Sequence, residues 1–355
     1  MEKILSIIIP TYNMEKYLRK CLDSLIVSEE NMQRLEVLVI NDGSKDLSSQ
    51  IAHEYEIKFP NTFHVIDKEN GNYGSCINRG LKEATGKYIK VLDADDYFDN
   101  KVFEGYISYL LDIDCDLIIN DFCVVNERDT IVETYTFPLP INDKFSVGEM
   151  QEGTIIWLWH HGMAYRTQIL RDMHYYQTEG ISYTDDEWIF KPITYVRDVR
   201  YYPNYLYLYL IGRQGQTFDP KVFCKSLSNM KVVLMSLIDF YSNIKERNNN
   251  NYLYTKLRCR LVALYASQIC KYFSESFNDE LIDLDNSLRV SIPDLYSDLD
   301  EISDRFSIRY IHKWRNSGYK RNRIIILLHK LKEVQNFVTN KNLAYKMPSK
   351  YKRLT

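Results

Sequence analysis

Five short apolar runs recur through the first third of the chain, at Ser6–Ile9, Glu36–Ile40, Phe63–Ile66, Tyr88–Leu92 and Asp116–Ile119, and segments of helical period separate them. This alternation predicts strands buried in an open, largely parallel α/β sheet with helices on its faces. Between the first two runs, Met14–Ile26 places Tyr17, Leu18, Cys21, Leu22 and Leu25 on one helical face. Ser75–Ala84 reads as a second sheet-covering helix, with Gly86 as its stop.

The remainder is organised differently. From about residue 124 to residue 217 the pattern is mixed, and the aromatic-rich stretches WLWHHGMAYRTQIL and YYPNYLYLYL suit strands and loops over a cleft. After Asp219-Pro220 the period turns helical and stays so, with the asparagine run at 248–251 as a loop. We therefore expect an α/β domain over residues 1–218 and an all-helical domain over residues 219–355.

Composition narrows the function classes. With 45% hydrophobic and 26% charged residues, 13 Gly and 9 Pro, the chain is an ordinary globular one, neither fibrous nor disordered. Seven cysteines without a CxxC pair suggest neither a disulfide framework nor a zinc cage, so a cytoplasmic setting is expected. The apolar start of MEKILSIIIPTYN meets Pro10 too early for a signal peptide or a membrane span. The net charge of -3 hides an asymmetry, since Lys313–Thr355 holds twelve Lys or Arg against the single acid Glu333.

Chemistry is concentrated where the strands end. Asp93-Ala94-Asp95-Asp96 follows the strand YIKVL at its carboxyl end, the position where open α/β sheets place ligands. In an extended segment Asp93 and Asp95 face one ligand while Asp96 points elsewhere. Paired carboxylates of this kind suit a hard divalent cation bridging to phosphate oxygens, although the same residues can also form an acidic turn that caps the next helix. NDGSKD at 41–46 follows another strand and reads either as a tight turn or as a ligand contact through Asp42. In SIIIPTYN, Pro10 ends the first strand and Thr11-Tyr12-Asn13 form the loop above it, where Tyr12 is either a packed aromatic or a platform for a base.

These strand ends, IIIPTYN, VINDGSKD, ENGNYGSCINRGL and VLDADD, resemble in order and spacing the family-2 glycosyltransferases of the GT-A fold, closely over residues 4–100 and more loosely to about 217. The resemblance implies a GT-A (Rossmann-like) nucleotide-diphospho-sugar transferase domain that works with inversion and with Mn²⁺ or Mg²⁺. It implies that Thr11, Tyr12, Asn13 and Asp42 bind the nucleoside, that Asp93 contacts the ribose or the metal shell, and that Asp95 ligates the metal. Asn78 matches the family's Asn in the helix region, while Ile77 departs from a frequent Arg. The family's acidic pair falls at Thr184-Asp185, so Asp185 is the expected base, with Asp186 and Glu187 as competitors. Arg213, in GRQGQT, lies where related enzymes fold a loop over the pyrophosphate, and its guanidinium suits phosphate oxygens.

The expected donor is therefore a nucleotide-diphospho-sugar, with UDP as the nucleotide, and the acceptor a glycan, glycolipid or glycoprotein. His160 and His161 read as acceptor-site, metal-adjacent or simply buried residues. A sugar nucleotidyltransferase shares the alternating pattern but needs an early glycine-rich phosphate loop, and PTYNMEKY has no glycine. An inactive nucleotide-sugar-binding scaffold is the non-enzymatic alternative. The basic, partly apolar segment Lys320–Val338 reads as a helix for anionic lipid at the cytoplasmic membrane face, as a homo-oligomer contact, or as packing on the chain's own helices. No motif points to nucleic acid.

Overall fold

The computed structural model describes residues 2–213, 216, 226–244, 249–271, 274–304 and 306–329. Two compact units divide the chain, one ending at Gln216 and one beginning at residue 217, and the boundary expected after residue 218 lies outside the described residues. The six cysteines among the described residues form no disulfide. No helix among these residues is long and apolar enough to cross a membrane.

The first unit is built on one mixed sheet. Its elements run β1 (Leu5–Thr11), α1 (Leu18–Asp23), α2 (Glu29–Arg34), β2 (Leu35–Asn41), α3 (Ser48–Lys58), β3 (Phe63–Asp67), α4 (Asn72–Glu83), β4 (Tyr88–Val91) and β5 (Tyr97–Phe98). They continue through α5 (Asn100–Leu111), β6 (Leu117–Asn126), β7 (Ile131–Tyr135), α6 (Glu152–Trp157), β8 (Met163–Arg166), α7 (Thr167–Asp172), α8 (Asp185–Phe190) and β9 (Val199–Ile211). Strand order is β3-β2-β1-β4-β8-β6-β9-β5, with β7 paired to β6.

The five apolar runs are the strands β1, β2, β3, β4 and β6. The first four are mutually parallel, and every residue of β2 and β4 is buried, as a sheet covered on both faces demands. The chain leaves β1 toward β2 and β3, then returns to β1's other side as β4. The strand order reverses there, and a crevice opens outside the carboxyl ends of β1 and β4. This topology brings the loop after Thr11 and the turn after Leu92 to one place.

Some expectations are corrected. The helix expected over Met14–Ile26 contracts to the six residues of α1, because residues 14–17 form a turn whose Met14 carbonyl accepts from Tyr17 and Leu18 amides. α4 stops at Glu83, so Gly86 is not its cap. Gly86 is required because β1 crosses against it: a Cβ there would lie 2.5 Å from the Ser6 backbone nitrogen and 2.7 Å from the Leu5 carbonyl carbon. The strand expected over Asp116–Ile119 runs on to Asn126, through the buried polar residues Asn120 and Asp121.

The second unit is helical, as the period after residue 220 requires. Its helices are Leu227–Asn243, Asn250–Ala266, Glu275–Ser291, Pro293–Asp300 and Tyr310–Asn316, with a π-helical turn at Ser267–Lys271. Arg315 is its polar centre. The buried guanidinium donates to both oxygens of Asp285, to the Tyr296 carbonyl and to Asp300, and lies 3.6 Å from the Tyr296 ring centroid. Buried ions are tolerated only when paired and hydrogen-bonded in this way. Of the basic tail, residues 323–329 are helical, with Ile325 and Ile326 buried and Ile324 and Leu327 exposed. The rest of that segment, from residue 330, lies outside the described residues.

Replacing Gly86 by Ala should lower the stability of the first unit by about 1–3 kcal/mol, because backbone must move to admit the methyl group. Urea unfolding followed by circular dichroism measures this, and an unchanged midpoint would contradict the crossing as described.

Candidate functional site

The acidic run forms a tight turn rather than an extended segment, closed by the Asp96 amide donating to the Asp93 carbonyl at 2.9 Å. The turn sends its carboxylates apart. Asp96 points into the core, where Tyr207 Oη donates to it at 2.6 Å and the Leu210 amide at 2.7 Å, which stitches β9 to the turn. Tyr207 Oη in turn accepts from the Asp93 amide at 3.1 Å. Burial, then the charges of Asp95 and Asp93, push Asp96 well above the usual carboxylate range.

Asp93 and Asp95 meet different partners. One Asp93 oxygen accepts from Tyr73 Oη at 3.1 Å, and the other lies 3.2 Å from His160 Nε2. Burial opposes ionisation of Asp93, but His160, Tyr73 and Arg213 outweigh it and hold the pKa below its ordinary value. Asp95 is ion-paired with Arg213 Nε. Burial and the neighbouring Asp93 charge nevertheless raise the Asp95 pKa. Arg213, expected over a diphosphate, thus lies against the residue expected to hold metal, with its guanidinium 5.8 Å from the Tyr17 ring centroid. The turn sets three carboxylates beside one arginine and one histidine.

His160 is the residue whose importance sequence reading did not resolve. It sits in a 3-10 turn, His160–Gly162, between α6 and β8. Its Nε2 faces Asp93, and its Nδ1 lies 3.9 Å from an Asp185 oxygen. Burial disfavours the imidazolium, but the Asp93 charge and hydrogen bond, with Asp185 behind them, raise its pKa above the ordinary value. The adjacent His161 shows the opposite balance: burial, then His160 and Lys90, drive its pKa well below the ordinary value. Its ring stacks on Tyr209 at 4.6 Å, and its buried Nδ1 has no hydrogen-bond partner among the described residues. Asp93, His160 and His161 each offer a donor atom, all within 4.8 Å of one another, a set that fits a divalent cation.

Asp185 opens α8, and its half-exposed carboxylate faces this cluster. Glu187 does not compete with it, because its fully buried carboxylate accepts from the Thr178 amide and hydroxyl and from Lys191 Nζ at 2.6 Å.

On the other side of the crevice, Asp42 is buried at the end of β2, and its Oδ1 accepts from Lys68 Nζ at 2.5 Å and from the Gly71 amide at 2.9 Å. Exposed Tyr12, Gly43, Lys45, Lys68, Glu69 and Asn70 help line an open groove of about 460 Å³ beside it. Gly43 has φ +73, and an added Cβ would crowd Asn70 and Lys68 backbone, so this turn needs glycine. Thr11 turns its hydroxyl back onto the Ile9 carbonyl, and the Asn13 side chain accepts from the Lys45 amide. These two shape the loop while Tyr12 is presented. Asn78 is not brought into the crevice: its amide group donates to the Gln177 carbonyl and to Glu179, and accepts from the Gln177 amide. It braces the segment that leads to Asp185.

Lys90 was also missed, although a lysine inside YIKVL is the signal. It is fully buried beneath the histidines and donates to Asn120 Oδ1, the His161 carbonyl and the Met163 carbonyl at 2.8–3.1 Å. With no carboxylate beside it, burial lowers its pKa to about 7.

Comparison with known proteins bears on the family and the fold. A family model described as glycosyl transferase family 2 matches residues 6–173. An uncharacterized glycosyltransferase of Mycoplasma genitalium is 41% identical over 130 residues, 36% of this chain and 42% of that protein. The poly(ribitol-phosphate) beta-N-acetylglucosaminyltransferase TarS of Staphylococcus aureus is 25% identical over 212 residues, 59% of this chain and 36% of that one. The chain thus spans less than half the length of these curated relatives. A crystal structure of residues 1–349 of S. aureus TarS has the same fold, with a TM-score of 0.66 and 18% identity over 95% of this chain and 92% of that one.

Lys90 gives a pH signature. Its folded pKa lies below its unfolded value near 10.5, so between about 7 and 10.5 the unfolded chain binds more protons and stability rises with pH. Lys90→Met should flatten that rise in denaturant unfolding measured across the window; an unchanged slope would mean that Lys90 is solvated.

Proposed function

We propose that this chain, whose residues 6–173 match the model of glycosyl transferase family 2, transfers a sugar from a nucleotide-diphospho-sugar, with UDP as the nucleotide, to an acceptor hydroxyl with inversion. The observation that carries this reading is the acidic turn at the switch point of the sheet, flanked on one side by a groove with an exposed aromatic and on the other by the Asp185 carboxylate. The UDP assignment is supported by TarS of S. aureus, whose crystal structures include complexes with UDP-GlcNAc and with UDP.

Each group has a role in this proposal. Tyr12 stacks on the base, and Asp42, oriented by Lys68 and the Gly71 amide, accepts from it. Asp95 and Asp93 would hold the divalent metal, with His160 and His161 as further donors beside Asp93. When bound, the metal offsets charge that develops on the leaving diphosphate. Arg213, exchanged from Asp95, turns to the phosphate oxygens, for which a guanidinium is well shaped. Asp185 removes the acceptor hydroxyl proton as that oxygen attacks the anomeric carbon from the side opposite the leaving group. The acceptor is a glycan, lipid-linked glycan or glycoprotein, and the setting is cytoplasmic.

Full-length protein incubated with Mn²⁺ and a panel of nucleotide sugars should release nucleoside diphosphate, most from UDP-sugars. A folded chain that binds donors but cleaves none would favour the binding-scaffold reading. Asp185→Asn should retain UDP binding while turnover falls by about 10²–10⁴. Turnover near wild type in that variant would move the base to Asp186.

A further inference from the structure

We propose that Cys270, Asp304 and His329 of the helical unit form a binding site for a zinc-class divalent cation. The three residues come from separate segments, so no sequence spacing announces them. Cys270 lies in the π-helical turn Ser267–Lys271, and its thiol is buried. Turns of this kind are rare and recur at functional sites. Asp304 is held rigidly: one oxygen accepts from the Phe306 and Ile308 amides, both at 2.9 Å, and the other lies 2.9 Å from His329 Nε2. The His329 ring is in turn set edge-on to Phe306 at 5.4 Å between centroids. One sulfur, one imidazole nitrogen and one carboxylate oxygen lie within 4.8 Å of one another.

The donor chemistry selects the ion. A thiolate with an imidazole and a carboxylate is a borderline-soft set, which suits Zn²⁺ and is poor for Mg²⁺ or Ca²⁺. Backbone amides that fix the carboxylate from behind are the outer-shell arrangement that orients a ligand. Charge also closes. On binding, the thiol proton leaves to solvent as the metal–sulfur bond forms, and thiolate, carboxylate and neutral imidazole then sum with Zn²⁺ to zero in a buried place where a net charge is costly. Three protein ligands leave the fourth tetrahedral position for water.

The full chain titrated with Co²⁺, the spectroscopic stand-in for zinc, tests this directly. A thiolate-to-cobalt charge-transfer band should appear in the near-ultraviolet, saturate at about one ion per chain and be displaced by Zn²⁺. Cys270→Ser should lack the band, and His329→Gln should bind at least about tenfold more weakly, with far-ultraviolet dichroism confirming that both are folded. Asp93→Asn should leave the band intact. No band in the wild-type chain, or an undiminished band in Cys270→Ser, would overturn the site.

Discussion

Three carboxylates share one four-residue turn at the end of β4, and their mutual repulsion is what the surroundings of that turn are arranged to offset. Asp96 is buried, which pushes its carboxyl toward the neutral form, and is bonded to β9. Asp93 is met by His160 and Tyr73, and Asp95 by Arg213. Each partner arrives from a different segment, so the turn ties α4, the 160–162 turn, β9 and the residues after β9 to one point. In the proposed function, Asp93 and Asp95 turn this charge to a divalent cation and a diphosphate at the same place.

A layer of support lies beneath. Lys90 replaces an apolar strand residue in order to hold the carbonyls of His161 and Met163, which fixes the turn that carries His160. Its three neutral acceptors satisfy the ammonium's donors without supplying a counter-charge, so the site gains no further negative charge. On the far side, Asn78 and Glu187 tie α4 and α8 to the segment around Gln177 and Thr178. Asp185 therefore projects from a braced helix start, not from a loose loop.

Much of the fold was legible because buried parallel strands write themselves as uninterrupted apolar runs, and the four strand-end motifs lie next to them. β6 was legible only for its first residues, since Asn120 and Asp121 interrupt the run although both are buried and bonded. The choice among Asp185, Asp186 and Glu187 could not be made from DDE alone. It depends on which carboxylate the first turn of α8 sends toward Lys191 and Thr178. His160 was seen but not placed, because its partners lie 67 and 25 residues away in sequence and nothing local marks the pairing. The Cys270, Asp304 and His329 cluster was invisible for the same reason.

The central claim is that the acidic turn binds a nucleoside diphosphate through a divalent cation. Calorimetric titration of the full chain with UDP, with and without Mn²⁺, tests it most directly. The account predicts binding that needs the metal and that is largely lost in Asp95→Asn. UDP that binds equally well in chelator, or with undiminished metal dependence in that variant, would contradict it.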